Sequence, residues 1–332
     1  MDDIKIAVSR KSDRFLDRVR IFIRNRGLAY TTEKTYIYWI LFFIRFNQKK
    51  HPSGMGKAEV ERFLSFLGNE RQSSKSTQRT ALNALIFLYR EFLEKDLGKL
   101  SFNLSKKHRR IPVVFSTQEA SRIIQQMQGI TKLMIILMYG CGLRTAEVCS
   151  LRIKDIDFKM NQIIVREGKG LKDRVTLLPE IAIAEIKKQI AKVQSLHKED
   201  LSSGYGEVYL PNALCRKYPN APKETAWQYL FPSTRIGKDP RSGIKRRHHL
   251  HHSVLQKHTH TAIREANIHK FSSCYTFRHT FATQLLLKGY DIHTIQKLMG
   301  HSDISTTEIY LHVVKQGGLG VKSPADNLLI SV

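Results

Sequence analysis

Between Ser12 and Glu94 apolar residues return every three or four positions: Phe15, Val19 and Ile23, then Tyr36, Ile40 and Phe43, then Val60, Phe63, Leu64 and Leu67, then Leu82, Leu85 and Tyr89. That period places them on one face of a helix, so the segment predicts four helices. Gly27, the His51-Pro52-Ser53-Gly54 turn and the polar stretch Gln72 to Ser76 separate them. Beyond Pro112 the pattern changes. A capping box from Ser116 to Glu119 opens a helix carrying Ile123, Ile124 and Met127, and a buried helix follows over Leu133 to Tyr139. Ile153 to Phe158, Gln162 to Val165 and Arg174 to Leu178 predict three short strands, the first two joined by a Lys159-Met160-Asn161 turn. Helical spacing resumes over Ala182 to Gln194, Val254 to Ala266, Tyr275 to Leu287 and Ile292 to Leu298. A last helix is expected from the capping-box spacing of Ser305 and Glu308. The expected fold is mainly α with a small three-stranded antiparallel sheet, in an α+β second domain.

These patterns divide the chain into a helical domain over residues 1–104, a basic linker over 105–113 and a larger domain over 114–332. The larger domain is interrupted by a segment at about 196–253 and ends in a short apolar tail at about 323–332. Segments as long as 196–253 are functional or disordered, and Trp227, Tyr229 and Phe231 argue against disorder.

Charge adds the first functional constraint. The 332 residues carry 55 Lys and Arg against 29 Asp and Glu, a formal net charge of +26. Residues 1–110 hold 24 basic and 11 acidic side chains, and the remainder holds 31 and 18, so the first third has about twice the charge density of the rest. A polyanion touching both parts would release counterions from each, and nucleic acid is the expected partner. A membrane is not expected. The longest apolar run, Tyr36 to Ile44, is nine residues, against the roughly 20 that cross a bilayer, and no lipidation signal or apolar leader is visible. Cys141, Cys149, Cys215 and Cys274 show no metal spacing and read as free thiols in a reducing cytoplasm. Lys106, Lys107, Arg109 and Arg110, ahead of Ile111-Pro112, read equally as a solvated linker or a strap along a phosphate backbone.

Several separated cations are suited to one phosphate. Arg144 follows Gly140-Cys141-Gly142-Leu143 at the opening of a helix, with Glu147 three residues on, where its carboxylate can orient the guanidinium. Lys169, in Gly168-Lys169-Gly170 between two predicted strands, can contact phosphate or donate a proton. Arg278 and His279 fall on one helix, with His279 reading equally as a packing residue or a direct contact; His301 follows Gly300 at a helix end, and Tyr310 lies nine residues later.

The segments GCGLRTAEVCSL, GKGLKDR, YTFRHTFAT and LMGHSDISTTEIYLH resemble the boxes of the tyrosine site-specific recombinases, and Leu16 to Glu94 resembles that family's helical core-binding domain. The resemblance implies a two-domain clamp on DNA that cleaves and religates strands through a 3′-phosphotyrosyl intermediate. It implies Tyr310 as nucleophile, Arg144 and Arg278 as the phosphate clamp, and Lys169 as general acid for the leaving 5′ oxygen. His301 would support the phosphate and Glu147 would support Arg144. Guanidinium groups then supply the charge that a metal supplies elsewhere, and bond energy is kept in the phosphotyrosine, so no metal, nucleotide or other cofactor is expected. Neither GCGLR nor GKGLKDR completes a nucleotide-binding fingerprint. Tyr275 departs from the family pattern, standing where most members have His; its hydroxyl can donate a hydrogen bond but carries no positive charge at pH 7.

The interrupting segment carries Arg246, Arg247, His248, His249, His251 and His252. His248 and His252 are four apart, but no Cys, Asp or Glu stands close by to complete a metal site, so no metal is expected. Arg and His beside Trp227 and Tyr229 instead suggest a platform that stacks unpaired bases; Trp227 as a core residue is the plainer alternative. The stretch Ala213 to Ser233 followed by RRHHLHHSVLQ is similar to the extra element of integron integrases. That likeness implies integration and excision of gene cassettes at folded single-stranded and duplex sites, with Trp227 and His249 gripping extruded bases and Pro232 shaping the pocket. It also implies a homotetramer on DNA held by exchange of residues 323–332. A duplex-specific recombinase of phage or Xer type, a catalytically impaired DNA-binding protein and, more remotely, a type IB topoisomerase remain as alternatives.

Overall fold

The computed structural model describes residues 7–9, 11–105, 112–166, 173–239 and 242–316. The chain divides into two compact units between Arg109 and Arg110.

The first unit is built from α1 (Phe15–Asn25), α2 (Tyr30–Phe46), α3 (Lys57–Asn69) and α4 (Lys75–Ile86), the last continuing into one π-helical stretch, Phe87–Phe92. Its core is the face read from the sequence: Val19, Ile23, Ile40, Phe43, Val60, Phe63, Leu64, Leu67, Leu85 and Tyr89 are all buried. Helix ends follow local chemistry. Ser74 caps α4 by accepting from the Thr77 N–H at 3.1 Å, and the Glu59 carboxylate accepts from the Gly56 N–H at 2.8 Å ahead of α3.

One charge cluster is buried here. Glu33 on α2 accepts from Arg20 at 3.0 Å and from both Nε and Nη2 of Arg24 at 2.8 Å. Burial would raise its pKa, but the two guanidinium groups outweigh that and hold the carboxyl below its ordinary value. Glu33→Ala is therefore expected to destabilise this unit by about 2 to 3 kcal/mol, because two partly buried cations lose a shared counter-charge. The chain has two tryptophans, so urea unfolding followed by Trp39 fluorescence in a Trp227→Phe background isolates the effect. A folded-state pKa below the unfolded value means the contribution is complete above about pH 4.3 and fades as pH falls further.

The second unit opens with α5 (Thr117–Gln126), α6 (Gly129–Cys141) and α7 (Thr145–Ser150). The Ser116 capping box forms in both directions, at 3.1 and 2.7 Å. β1 (Ile156–Asp157), β2 (Gln162–Val165) and β3 (Arg174–Leu177) pair antiparallel in the order β1-β2-β3, with Ile163 opposite both Ile156 and Thr176. The first predicted strand is mostly a 3₁₀ turn, Ile153–Asp155, because the Asp155 carboxylate folds back onto the Arg152 N–H at 2.9 Å and takes Arg166 at 3.0 Å. α8 (Glu180–Ser202) runs past its expected end at Gln194, since Val193, His197 and Asp200 continue its buried face.

The segment at 196–253 is folded. After α8 come α9 (Asn212–Lys217), 3₁₀ turns at Ala221–Lys223 and Thr225–Trp227, and a hairpin of β4 (Pro232–Lys238) and β5 (Lys245–His249). Then follow α10 (His252–Glu265), α11 (Cys274–Leu287), α12 (Ile292–Met299) and α13 (Ser305–Gln316). Ser305 is the first residue of α13 and gives its N–H to the Asp303 carboxylate at 2.9 Å, so the Ser305–Glu308 spacing is not the cap. α6, buried along Leu133, Met134, Leu137 and Met138, forms the centre against which α11, α8, α10, α7 and α5 pack. All four cysteines are free thiols. Among the described residues no helix is long and apolar enough to cross a membrane.

Candidate active site

α6 and α12 both end in glycines with left-handed backbone, Gly142 (φ 63°) and Gly300 (φ 62°). A helix end leaves carbonyls without intrahelical donors, at the negative end of its dipole. Those of α12 are taken by three arginines in succession. Leu298 O accepts from Arg174 Nε at 2.9 Å, Met299 O from Arg278 Nη2 at 2.6 Å and Gly300 O from Arg144 Nη2 at 3.0 Å. The carbonyl of Gly142, at the end of α6, accepts from Arg278 Nη1. Gly300 has a further requirement: a Cβ there would lie 2.7 Å from Arg174 Cδ.

Glu147 binds the three guanidinium groups together. Its carboxylate accepts from the Arg144 N–H at 2.8 Å and Arg144 Nη1 at 2.6 Å, takes Arg174 in a two-pronged pair at 2.8 and 2.7 Å, and lies 3.8 Å from Arg278 Nη1. Burial pushes this carboxyl up, yet Arg174 and then Arg144 outweigh it and hold it at about 2. Arg278 is fully buried, and its Nε has no hydrogen-bond partner among the described residues. Burial, then the charge of Arg144, lowers its pKa to about 10. Three cations on one carboxylate leave a surplus of positive charge, and an anion is what such a surplus attracts.

His301, one residue past Gly300, sets its Nε2 3.0 Å from Arg278 Nη2 and its Nδ1 2.9 Å from Thr307 Oγ1. Guanidinium only donates, so Nε2 is the acceptor and Nδ1 carries the proton. Burial first, then the charges of Arg278, Arg144 and Arg174, push its pKa down to about 3, so this imidazole is neutral at pH 7. Tyr310 on α13 is buried among Phe281, Ala282, Ile295 and Met299, and its hydroxyl meets His279 Nδ1 at 2.9 Å. Burial raises the phenol's pKa, against the opposing pull of Arg278 and Arg144. His279 is itself pushed down to about 4, by burial and by Arg278. Tyr275 is exposed, and its ring meets that of His279 edge-on at 4.7 Å.

The residues singled out from sequence thus fall into three groups. Arg144, Glu147, Arg278, His301 and Tyr310 converge, with Tyr275 at the edge. Lys169, Lys106, Lys107, Arg109, Arg110 and the tail at 323–332 lie outside the described residues. The third group belongs to the hairpin segment. Trp227 is half-buried at the end of its 3₁₀ turn with Lys154 Nζ 2.8 Å from its ring centre, while Arg152 Cζ lies 5.8 Å over the same ring and 4.5 Å over that of Tyr229. Burial and the charge of Arg166 bring the Lys154 pKa down to about 8. Pro232 pairs with His249 in the hairpin, and the His249 ring meets Tyr229 edge-on at 5.2 Å. Arg246 and Arg247 do not present their charge outward as the basic run suggested. Arg246 is buried beside Asp239 at 3.4 Å, and Arg247 forks onto Asp200 of α8 at 2.6 and 2.7 Å. His248 and His252 complete no metal site: among the described residues no group of three or more His, Cys, Asp or Glu side chains is placed to hold an ion.

Sequence reading passed over Arg174, which it took only as the start of a strand. The signal was available, since Arg174 closes the GKGLKDR box.

Residues 114–316 match the Phage integrase family, and residues 15–99 match its N-terminal SAM-like domain. The chain therefore belongs to the phage integrase family, the tyrosine recombinases, which are DNA-cleaving and religating enzymes. An Integrase/recombinase of Escherichia coli is 44% identical over 319 residues, 96% of this chain and 95% of its own. The tyrosine recombinase XerA of Thermococcus onnurineus is 28% identical over 306 residues, 90% of each chain. Among solved structures, the Tn1549 transposon integrase in complex with transposon right end DNA shares the fold with a TM-score of 0.63 at 16% identity, over 92% of this chain and 99% of that one. The lambda integrase dimer bound to a COC′ core site shares it at 0.58 and 16%, over 89% and 93%.

Glu147→Gln keeps the shape and removes the charge that holds three arginines. It is expected to cost about 3 kcal/mol of stability, read from denaturant unfolding of the second unit by Trp227 fluorescence in a Trp39→Phe background. Because the native carboxyl titrates near 2, below the unfolded value of about 4.3, its contribution is present above the higher figure and is lost as pH falls toward the lower. The variant should therefore show a shallower acid limb over that window.

Proposed function

We propose that this protein is a site-specific DNA recombinase in which Tyr310 attacks a scissile phosphate, forming a 3′-phosphotyrosyl bond and releasing a 5′ hydroxyl. Arg144 and Arg278 would clamp the phosphate, His301 would support it, Glu147 would hold the clamp in shape, and Lys169 would protonate the leaving oxygen. Residues 1–104 would supply the second arm of the clamp on DNA, the basic linker at 105–113 would follow the backbone, and a homotetramer joined through residues 323–332 would carry out exchange. The observation that carries this reading is the Tyr310 hydroxyl, held 2.9 Å from His279 within the field of Arg278 and Arg144. Attack on a phosphodiester builds negative charge at the phosphorus, and fixed guanidinium groups stabilise it without reorganising.

The finer part of the proposal is that the sites are integron cassette sites, one of them used as a folded single strand. Trp227, carried on a turn and cushioned by Lys154 and Arg152, has the character of a stacking surface for an extruded base, and the paired Pro232 and His249 lie on the strands that follow. Arg246 and Arg247, turned toward Asp239 and Asp200, would hold the hairpin's shape.

The test is a nicked suicide substrate in hairpin and duplex forms. The parent chain is expected to form a covalent DNA adduct that Tyr310→Phe does not form; a parent chain that binds without forming it would make this a DNA-binding protein, with Tyr275 the reason. Trp227→Ala is expected to weaken hairpin binding about tenfold, the worth of one lost base stack, and to leave duplex binding within about twofold. Equal binding of both forms by the parent would favour the duplex-specific reading that the likeness to XerA supports.

A further inference from the structure

We propose that His279 accepts the phenolic proton of Tyr310, supplying from the next helical turn the imidazole that is absent at Tyr275. This deepens the reading of Tyr310 as nucleophile and rests on it. Tyr275 and His279 are four residues apart on α11, so they share a face, and their rings touch at 4.7 Å. The residue facing the nucleophile from that stripe is His279: its Nδ1 stands 2.9 Å from the Tyr310 hydroxyl, within the reach a general base needs.

Direction follows from the chemistry of the pair. A phenol O–H is the better donor and an unprotonated ring nitrogen the better acceptor, so the productive tautomer has its proton on Nε2 and its lone pair toward Tyr310. The groups facing His279 are Tyr275 and Arg278 of its own helix, Tyr310 of α13 and His301 beyond α12. An imidazolium formed beside Arg278 is unfavourable while the site holds no anion. A phosphate placed against the guanidinium groups offsets that cost, which confines the proton transfer to the DNA-bound state.

The step balances. The Tyr310 O–H bond breaks as its proton passes to His279 Nδ1, the tyrosine oxygen bonds to phosphorus, and the bond from phosphorus to the 5′ oxygen breaks. The 5′ oxygen takes a proton from a separate acid, the role proposed above for Lys169. Religation runs the sequence backward: a 5′ hydroxyl attacks and gives its proton back to that acid, the tyrosine oxygen leaves, and the imidazolium returns its proton to it. No external acid, base or metal is consumed.

Single-turnover cleavage of the suicide substrate, with DNA binding measured in parallel, tests this. His279→Ala is expected to slow cleavage by about a hundredfold while DNA affinity changes less than threefold. His279→Asn places an amide oxygen near the site of Nδ1, so it can orient the phenol but takes no proton, and should be as slow as His279→Ala. The parent rate should level off with rising pH as His279 loses its proton, and both variants should keep rising. A His279→Asn rate within threefold of the parent, or a His279→Ala rate unchanged, overturns the proposal, the first by reducing His279 to a positioning residue. If His279→Ala does not fold, the Asn variant carries the decision alone. A parent chain that forms no adduct, or an adduct that survives Tyr310→Phe, brings down the nucleophile reading first and this proposal with it, an outcome distinct from failure of the His279 variants alone.

Discussion

Everything at the site depends on how three like charges are kept together without a ligand. Two unit charges about 5 Å apart repel by roughly 3 kcal/mol at an effective dielectric near 20, so Arg144, Arg174 and Arg278, which all lie within 4 Å of one carboxylate, would separate if nothing opposed them. Two things oppose them. Three successive carbonyls at the end of α12 each take one arginine, and Glu147 meets all three. The carbonyls carry partial charge and Glu147 a single full one, so the compensation is incomplete and the net charge stays positive. A phosphodiester entering this space supplies the missing anion into a lattice of donors already oriented, and little reorganisation remains to be done.

The same incompleteness sets the protonation states around it. His301 and His279 are driven neutral at pH 7 by burial and by unneutralised arginines, while burial keeps the Tyr310 phenol protonated against their pull. Each of these groups therefore responds to the arrival of negative charge. A neutral imidazole sits on Arg278 and the phenol is tucked against another. An anion among the arginines makes protonated imidazole less costly at both positions. One electrostatic balance thus sets the protonation state of all three groups.

Much of this was legible where the informative interactions are local. The helix faces from Phe15 to Tyr89 repeat at short range, and the burial of Val19, Ile40, Phe63 and Leu85 follows from that repeat. Glu147 three residues after Arg144 is likewise local. What the sequence concealed depends on partners far along the chain. Arg174 reaches Glu147 27 positions back, and within its own strand it is only a basic residue beside a hairpin. Arg246 and Arg247 sit in a run of positive charge that reads as an outward patch, but Asp200 lies 47 positions before Arg247, on α8. A run of one sign reveals nothing about counter-ions brought to it by tertiary packing. The hydrogen bond between the Tyr310 hydroxyl and His279 spans 31 positions, and adjacency to Arg278 gave no hint of it.

The hairpin segment is joined to the rest of its unit without drawing on the residues of the arginine cluster. Its attachment rests on Arg152, just before the 3₁₀ turn that leads into β1, whose guanidinium donates to the carbonyls of Trp227 and Tyr209 and lies 4.5 Å from the centre of the Tyr229 ring. Backbone bonds from Leu230 to Leu151 and from Ile153 to Gln228 fix the same junction. None of these contacts involves Arg144, Glu147, Arg174, Arg278, His301 or Tyr310. Tyr229 and Phe231 are spent on the core, which leaves Trp227 as the aromatic of that stretch that keeps part of its surface open. Buried aromatics following closely on a half-open indole help to hold it rigid, and a base gains little from an aromatic that must first be ordered. Attachment of the hairpin segment and assembly of the arginine cluster are thus carried by separate sets of contacts within one unit, so a substitution in one set need not disturb the geometry of the other.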